Sequence, residues 1–131
     1  MKMNKILLID DDVSYLQLLG ILLECKGFDI TITPSAINAL EILEKTKFDL
    51  IITDFNLPDM NGIKLAMKVR GEYPDARIIM VTGDFSPDIV ETAENAGISG
   101  ILSKPVNTTK LLATIESSLK QSCMSYMSYM S

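Results

Sequence analysis

Short apolar runs alternate with longer segments of helical periodicity along this chain, and the alternation constrains the fold more than any other feature. The apolar runs cover residues 5–9, 28–33, 48–53, 77–81 and 100–102. Nearly continuous apolar runs of this length are typical of strands buried on both faces of a parallel sheet. The pattern therefore predicts an α/β fold: a doubly wound, five-stranded parallel sheet with five helices. Because crossovers are right-handed, the helices are expected on both faces.

Capping residues mark the helices between these strands. Asp12 is placed to cap a first helix over residues 13–26, which Gly27 ends. A second helix is predicted to open at residues 34–35 and to end near residue 45, and a third covers residues 63–72. The fourth begins at Pro87 and ends at residue 96, and Asn107 caps the last.

The bulk composition fits one soluble globular domain. Of the 131 residues, 47% are hydrophobic and 22% are charged, which is too apolar for a disordered chain. The net charge of −5 leaves no basic footprint, so we expect no direct nucleic-acid binding. No apolar run is long enough to cross a bilayer and no secretory signal is present, so no membrane association is expected.

Cysteine and histidine usage narrows the compartment and the chemistry. Cys25 lies in an apolar helical pattern and Cys123 in a polar segment. We therefore expect no disulfide framework and a location in the reducing cytoplasm. Histidine is absent, which excludes Ser-His-Asp and Cys-His nucleophile pairs. Carboxylates, hydroxyls and lysine remain to carry any chemistry.

The last stretch of the sequence differs from the rest. Residues 122–131 repeat serine, tyrosine and methionine with no charge and no apolar stripe. We therefore expect one domain over residues 1–121, followed by a low-complexity, disordered tail over residues 122–131.

Polar side chains follow four of the five predicted strands. Asp10 and Asp11 follow the first, Asp54 ends the third, Thr82 follows the fourth and Lys104 follows the fifth. Each residue alone would be an ordinary loop residue. Parallel strands, however, bring their carboxyl ends to one edge, where ligands bind. The five residues are therefore expected to form one site.

The chemistry of this set is specific. Clustered carboxylates without histidine or thiolate ligands favour a hard cation such as Mg²⁺, which keeps open positions for phosphate oxygens. Lys104 would supply a fixed positive charge and Thr82 a hydroxyl donor for a phosphoryl group. Asp54 is then placed to act as the nucleophile and form an acyl phosphate.

The motifs and their spacing resemble the receiver domain of bacterial two-component response regulators, from about residue 4 to residue 121. The matching segments are LIDDD at 8–12, DLIITD at 49–54, LPDMNG at 57–62, VTG at 81–83 and SKP at 103–105. Each motif is weak alone, and the five in this order and spacing form a strong signal.

This resemblance implies that Asp54 accepts a phosphoryl group from a phosphohistidine on a sensor histidine kinase or a histidine phosphotransfer protein. It also implies that Mg²⁺ is held by Asp10, Asp11, Asp54 and the backbone carbonyl of Asn56. By the same resemblance, Thr82 and Lys104 contact the phosphoryl oxygens. The peptide between residues 104 and 105 is expected to be cis, and the strand order to be 2-1-3-4-5.

One position departs from the family pattern, and two others bear on hydrolysis of the acyl phosphate. Ile101 stands where the family usually carries an aromatic side chain that rotates together with the strand-four hydroxyl. An isoleucine is stiff at χ1 and has no ring to swing, so we expect phosphorylation without the usual aromatic readout. Asn56 and Asp84 are hypothesised to flank the route of hydrolytic water and to set the lifetime of the acyl phosphate.

The first helix has more apolar residues than one buried face needs. These are Tyr15, Leu16, Leu18, Leu19, Ile21, Leu22 and Leu23. A wide core stripe is one interpretation, and a surface for a partner's helices is the other.

Two other functions stay open on sequence alone. One is a flavodoxin-like module that binds a small ligand and is never phosphorylated. The other is a phosphatase of the haloacid dehalogenase type, which would need a second aspartate two residues after the nucleophile, where Asn56 stands.

Overall fold

The computed structural model describes residues 3–130, with side chains for residues 3–120. The strands are β1 Lys5–Ile9, β2 Asp29–Thr33, β3 Leu50–Asp54, β4 Ile78–Thr82 and β5 Gly100–Ser103. The helices are α1 Val13–Cys25, α2 Ala36–Lys45, α3 Gly62–Glu72, α4 Pro87–Asn95 and α5 Thr108–Met130. Strands and helices alternate throughout, as the sequence predicts.

The strands form a single parallel sheet. Its order is β2-β1-β3-β4-β5, so the chain moves first to one side of β1 and then to the other. The predicted fold class and strand order are confirmed. The point where the order reverses lies beside β1 and β3, which is where ligands bind in sheets of this kind.

The core has two layers, one on each face of the sheet. One layer joins buried residues of α2, α3 and α4 to alternate side chains of the central strands, such as Leu7 and Met80. The other joins α1 and α5 to the intervening side chains, such as Leu8 and Val81. All five residues of β3 and of β4 are buried, which makes these two strands a rigid support for side chains at their ends.

Several strands continue one residue further than the apolar pattern indicates. Asp54 pairs with Val81, and Thr82 pairs with Ser103, within the ladders of β3, β4 and β5. Main-chain pairing does not require an apolar side chain, so polarity marks the edge of the core rather than the end of the strand. Asp54 is therefore held by the sheet itself.

The helix ends follow the predicted chemistry with small shifts. The Asp12 carboxylate accepts a hydrogen bond from the main-chain N–H of Tyr15 at 3.1 Å and caps α1. Gly27 and Gly97 have φ angles of 95° and 85° just beyond α1 and α4, a conformation that suits glycine. Helix α5 continues past residue 121 to Met130. The side chains of 121–130 and all of residue 131 lie outside the described part, so the predicted tail over residues 122–131 stays a prediction.

Among the described residues, no helix combines the length and the apolar character that crossing a bilayer requires.

Candidate functional site

Three strand ends place charged side chains together at the carboxyl edge of the sheet. Asp54 is the last residue of β3, Asp10 and Asp11 directly follow β1, and Lys104 directly follows β5. One carboxylate oxygen from each of the three aspartates lies within 4.8 Å of the others. The Lys104 Nζ lies 3.1 Å from Asp54 Oδ2 and 3.5 Å from Asp10 Oδ2. The structure therefore brings together the acids and the lysine that the sequence analysis selected.

The site is only partly open to solvent. The side chains of Asp10 and Asp54 are 7% and 6% exposed, while that of Lys104 is 35% exposed and Asp11 lies on the surface. Three carboxylates thus face one ammonium group. The imbalance of negative charge leaves this part of the molecule suited to a second cation.

The pKa values of Asp10 and Lys104 both lie above their ordinary values. Desolvation raises the pKa of Asp10, and the negative charge of Asp54 adds to it; the main-chain N–H of Asp12 and the charge of Lys104 oppose the rise. Desolvation alone would lower the pKa of Lys104. The hydrogen bond to Asp54 and the charges of Asp10 and Asp54 outweigh it, so the pKa of Lys104 lies above its ordinary value.

The donor atoms fit magnesium. All three side chains of the acidic cluster offer carboxylate oxygens, the ligand type that hard divalent cations prefer, and the chain contains no histidine to compete. Asp10 also accepts a hydrogen bond from the Asp12 main-chain N–H at 3.0 Å, which fixes the orientation of its carboxylate. An acidic pocket able to bind a divalent cation is therefore present.

The Thr82 hydroxyl is hydrogen-bonded to the main chain of Asp84. It is fully buried, donates a hydrogen bond to the main-chain oxygen of Asp84 at 3.1 Å and accepts one from the Asp84 N–H at 2.9 Å. Its main-chain oxygen accepts a hydrogen bond from the Lys104 N–H at 2.8 Å, which ties β4 to the residue that carries the ammonium group. The residue is in the expected place, and its hydroxyl is engaged within its own loop.

The loop between β3 and α3 is folded back on the end of β3. The Gly62 N–H donates to the Phe55 oxygen at 2.7 Å, and Asn56 forms an isolated antiparallel bridge with Asn61. A Cβ added at Gly62 would lie 2.6 Å from the Asp54 oxygen, so only glycine allows this approach. The role of the Asn56 carbonyl as a metal ligand stays a prediction.

Tyr15 belongs to the site although the sequence analysis placed it in the apolar surface of the first helix. Its ring centroid lies 5.9 Å from the Lys104 Nζ, a cation–π distance. Desolvation and the negative charge of Asp10 raise the pKa of the Tyr15 phenol. Tyr15 lies about one helical turn after Asp11, and this spacing is the signal in the sequence that could have placed it near the site.

The structure also places Ile101, Asp84 and Asn56. Ile101 is half-buried and packs on the layer formed by α2, α3 and α4. The Asp84 carboxylate accepts a hydrogen bond from the Ser86 N–H at 3.2 Å, and both Asp84 and Asn56 are exposed. The peptide bond between Lys104 and Pro105 is cis, as the resemblance implies.

Known proteins with solved structures share this fold. A response regulator receiver domain protein (CheY-like) from Methanospirillum hungatei superposes with a TM-score of 0.87 and 34% identity, covering 92% of this chain and 96% of that one. The chemotaxis response regulator CheY4 of Vibrio cholerae has a TM-score of 0.83 and 32% identity, covering 89% of this chain and 99% of that one.

Curated relatives of known name are longer than this chain. The transcriptional regulatory protein GlrR of Escherichia coli is 34% identical over 118 residues, which are 89% of this chain and 26% of that protein. A CpxR homolog of Haemophilus influenzae is 31% identical over 120 residues, which are 92% of this chain and 52% of that protein. The chain thus spans about a quarter to a half of their length.

A family model assigns the chain directly. The model of the response regulator receiver domain matches residues 6–116, a range that holds the acidic cluster and all five strands except the first residue of β1. Together with the fold and the relatives, this match establishes that the chain belongs to the response regulator receiver domains, the phosphoryl-accepting domains of two-component signalling.

Proposed function

We propose that Asp54 is the residue of this receiver domain that accepts the phosphoryl group. The observation that carries the proposal is the position of its carboxylate, at the end of a fully buried strand and 3.1 Å from the Lys104 Nζ. An oxygen of Asp54 attacks the phosphorus of a phosphohistidine. The P–O bond forms as the P–N bond breaks, and the electron pair of that bond stays on the imidazole nitrogen.

Mg²⁺ is the proposed cofactor. Asp10, Asp11 and Asp54 would hold it through carboxylate oxygens, and the Asn56 main-chain carbonyl is the fourth proposed ligand. When bound, the ion would neutralise charge on the acids and on the phosphoryl oxygens. The excess of acid over base in the cluster supports this proposal.

Lys104 and Thr82 are proposed to respond to the product. Transfer replaces the charge of the Asp54 carboxylate with that of a phosphoryl group, and the Lys104 ammonium then contacts phosphoryl oxygens in place of the carboxylate. The Thr82 hydroxyl must leave its hydrogen bonds with Asp84 to donate to the same group. This exchange of partners biases the domain between two conformations, and the bias is the signal.

The proposed phosphodonor is a sensor histidine kinase or a histidine phosphotransfer protein in the cytoplasm. Helix α1 borders the site and exposes 68% of Leu18 and 62% of Ile21, while Leu16 and Leu23 are buried. Part of the apolar surface of α1 is therefore free of the core, which favours docking of the donor's helices over a wide core stripe. The chain itself is proposed to bind neither nucleic acid nor membrane, and the downstream partner is left open.

Labelling with acetyl phosphate tests the central assignment. We expect the intact protein to gain the mass of one phosphoryl group when Mg²⁺ is present and to gain none when the metal is chelated. Asp54→Asn should abolish the gain, whereas Asp49→Asn, at the residue just before the opposite end of the same strand, should retain it. Labelling of the Asp54→Asn variant at the wild-type rate would refute the assignment.

The same assay separates the competing functions. A small-ligand module would take no label under any condition, and the family membership of the chain does not favour that alternative. A phosphatase would release phosphate from a small ester with repeated turnover, but Asn56 replaces the acid that this mechanism needs.

A further inference from the structure

We infer that Asp59 is a positioning residue for the metal and phosphoryl site, because it anchors the loop between β3 and α3 to the N-terminus of α2. The inference rests on the proposed function of Asp54 and of the Asn56 carbonyl. Asp59 lies at the tip of this loop, three residues beyond Asn56, and it does not belong to the acidic cluster.

The anchor consists of two hydrogen bonds across the fold. The main-chain N–H of Ala36 donates to Asp59 Oδ1 at 3.1 Å, and that of Ile37 donates to Asp59 Oδ2 at 2.7 Å. Both carboxylate oxygens are therefore used by one helix end. These N–H groups lie in the first turn of α2, where main-chain donors have no partner within the helix and the helix dipole favours a negative charge.

A local cap completes the same helix end. The Ser35 Oγ accepts a hydrogen bond from the Asn38 N–H at 3.2 Å, and α2 begins at the next residue, Ala36. The first two N–H groups of α2 thus go to Asp59 and the third goes to Ser35. Helix α2 has its own cap in sequence, so the carboxylate from the loop is an additional connection between two parts of the molecule.

The charge state of Asp59 is consistent with this role. Desolvation would raise the pKa of its carboxyl group, but the hydrogen bonds from Ile37 and Ala36 and from its own loop outweigh that effect and lower the pKa. The group is therefore ionised at neutral pH and keeps both acceptor oxygens available.

The loop is held at its base as well as at its tip. At the base, Gly62 closes on Phe55, and Asn56 pairs with Asn61. Between base and tip, the main chain has few ways to move, so the Asn56 carbonyl is fixed before a cation arrives. Without the hydrogen bonds of Asp59, the loop would have to become ordered when the metal binds. The cost of that ordering would weaken the affinity for Mg²⁺.

The test compares Asp59→Ala with Ser35→Ala. Both variants remove a cap from the same helix end, so both should lower the melting temperature, by about 4 °C each. Only Asp59→Ala should raise the Mg²⁺ concentration that gives half-maximal labelling by acetyl phosphate, by about tenfold. The labelling rate at saturating Mg²⁺ should stay within about twofold of the wild-type rate, because Asp59 touches neither the nucleophile nor the phosphoryl group.

A third variant separates position from charge. Asp59→Asn keeps an oxygen that accepts one of the two hydrogen bonds but removes the negative charge, so positioning predicts a smaller shift than for Asp59→Ala. Equal shifts in these two variants would assign the effect to charge alone and overturn the inference. If Asp59→Ala and Ser35→Ala shift the Mg²⁺ concentration for half-maximal labelling equally, the effect belongs to the stability of α2 and the inference is overturned. If Asp59→Ala does not fold, comparison of Asp59→Asn with Ser35→Ala decides in the same way.

Wild-type protein provides the remaining control. Failure of the wild type to take label in saturating Mg²⁺ would contradict the proposed function itself. Labelling of the wild type with an unchanged Mg²⁺ dependence in Asp59→Ala would contradict only the role of Asp59.

Discussion

Neutralising Asp11 should stabilise the metal-free protein while removing its response to magnesium. Asp11 is exposed, and the two ion pairs that Lys104 forms among the described residues of the site are with Asp10 and Asp54. Asp11→Asn therefore relieves repulsion within the acidic cluster and leaves both ion pairs intact. A substitution that strengthens the fold and weakens the function is expected where like charges are held together for a ligand.

The magnitude follows from the geometry of the cluster. The carboxylate oxygens lie within 4.8 Å of one another, and at that separation two unit charges repel by about 0.9 kcal/mol at the dielectric constant of water. Physiological salt roughly halves an interaction over this distance. Asp11 has two such neighbours, and the nearby Lys104 offsets part of their effect. We therefore expect a gain in the free energy of unfolding of about 0.5–1 kcal/mol.

Urea unfolding followed by circular dichroism measures this gain. In a chelator, Asp11→Asn should unfold at a higher urea concentration than the wild type, with the same slope. Asp75→Asn, which removes an equal charge near the opposite edge of the sheet, serves as the control and should change little. With Mg²⁺ at ten times its dissociation constant, the wild type should gain about 1.4 kcal/mol and the Asp11→Asn variant much less. A destabilised variant would refute the repulsion within the acidic cluster. A variant that magnesium stabilises as strongly as the wild type would refute the role of Asp11 as a ligand.

Three further substitutions probe the loop, the readout and the docking surface. Gly62→Ala places a Cβ 2.6 Å from a carbonyl oxygen of β3 and should cost about 2 kcal/mol in chemical unfolding, whereas Gly71→Ala, with nothing within 4 Å, should be neutral or stabilising. Ile101→Tyr should leave labelling by acetyl phosphate nearly unchanged and alter partner affinity, and loss of labelling would contradict this division. Leu18→Asp should fold and accept label from acetyl phosphate normally but take it more slowly from a histidine kinase. Met67→Asp, at an equally exposed apolar position on α3 (60% against 68%), should be slowed less, and equal slowing would argue against docking on α1.

The sequence was sufficient for the fold and for the acidic cluster, for one physical reason. Apolar runs mark parallel strands, and parallel strands end on one edge, so a charged residue just beyond each run must meet the others. Asp54 ends one of these strands and Lys104 follows another, and the two side chains lie 3.1 Å apart. The structure corrects the strand ends, because β3, β4 and β5 each include a polar last residue where main-chain pairing extends beyond the apolar side chains.

Other parts of the site depend on tertiary contacts that periodicity does not encode. Asp59 caps a helix that begins more than twenty residues earlier in the chain, and no spacing rule links a loop carboxylate to so distant an N–H group. Tyr15 approaches Lys104 because of the rotation of α1 on the sheet. The Thr82 hydroxyl is hydrogen-bonded to the main chain of Asp84, a local contact that the apolar pattern does not predict.

Binding of Mn²⁺, followed by paramagnetic broadening of amide signals in NMR spectra, tests most directly whether the three acids share one cation. We expect substoichiometric Mn²⁺ to broaden the signals of Asp10, Asp11, Asp54 and Lys104 first and excess Mg²⁺ to restore them. Broadening that begins instead around Asp49 and Asp75, near the opposite edge of the sheet, would contradict a cation site shared by the three acids.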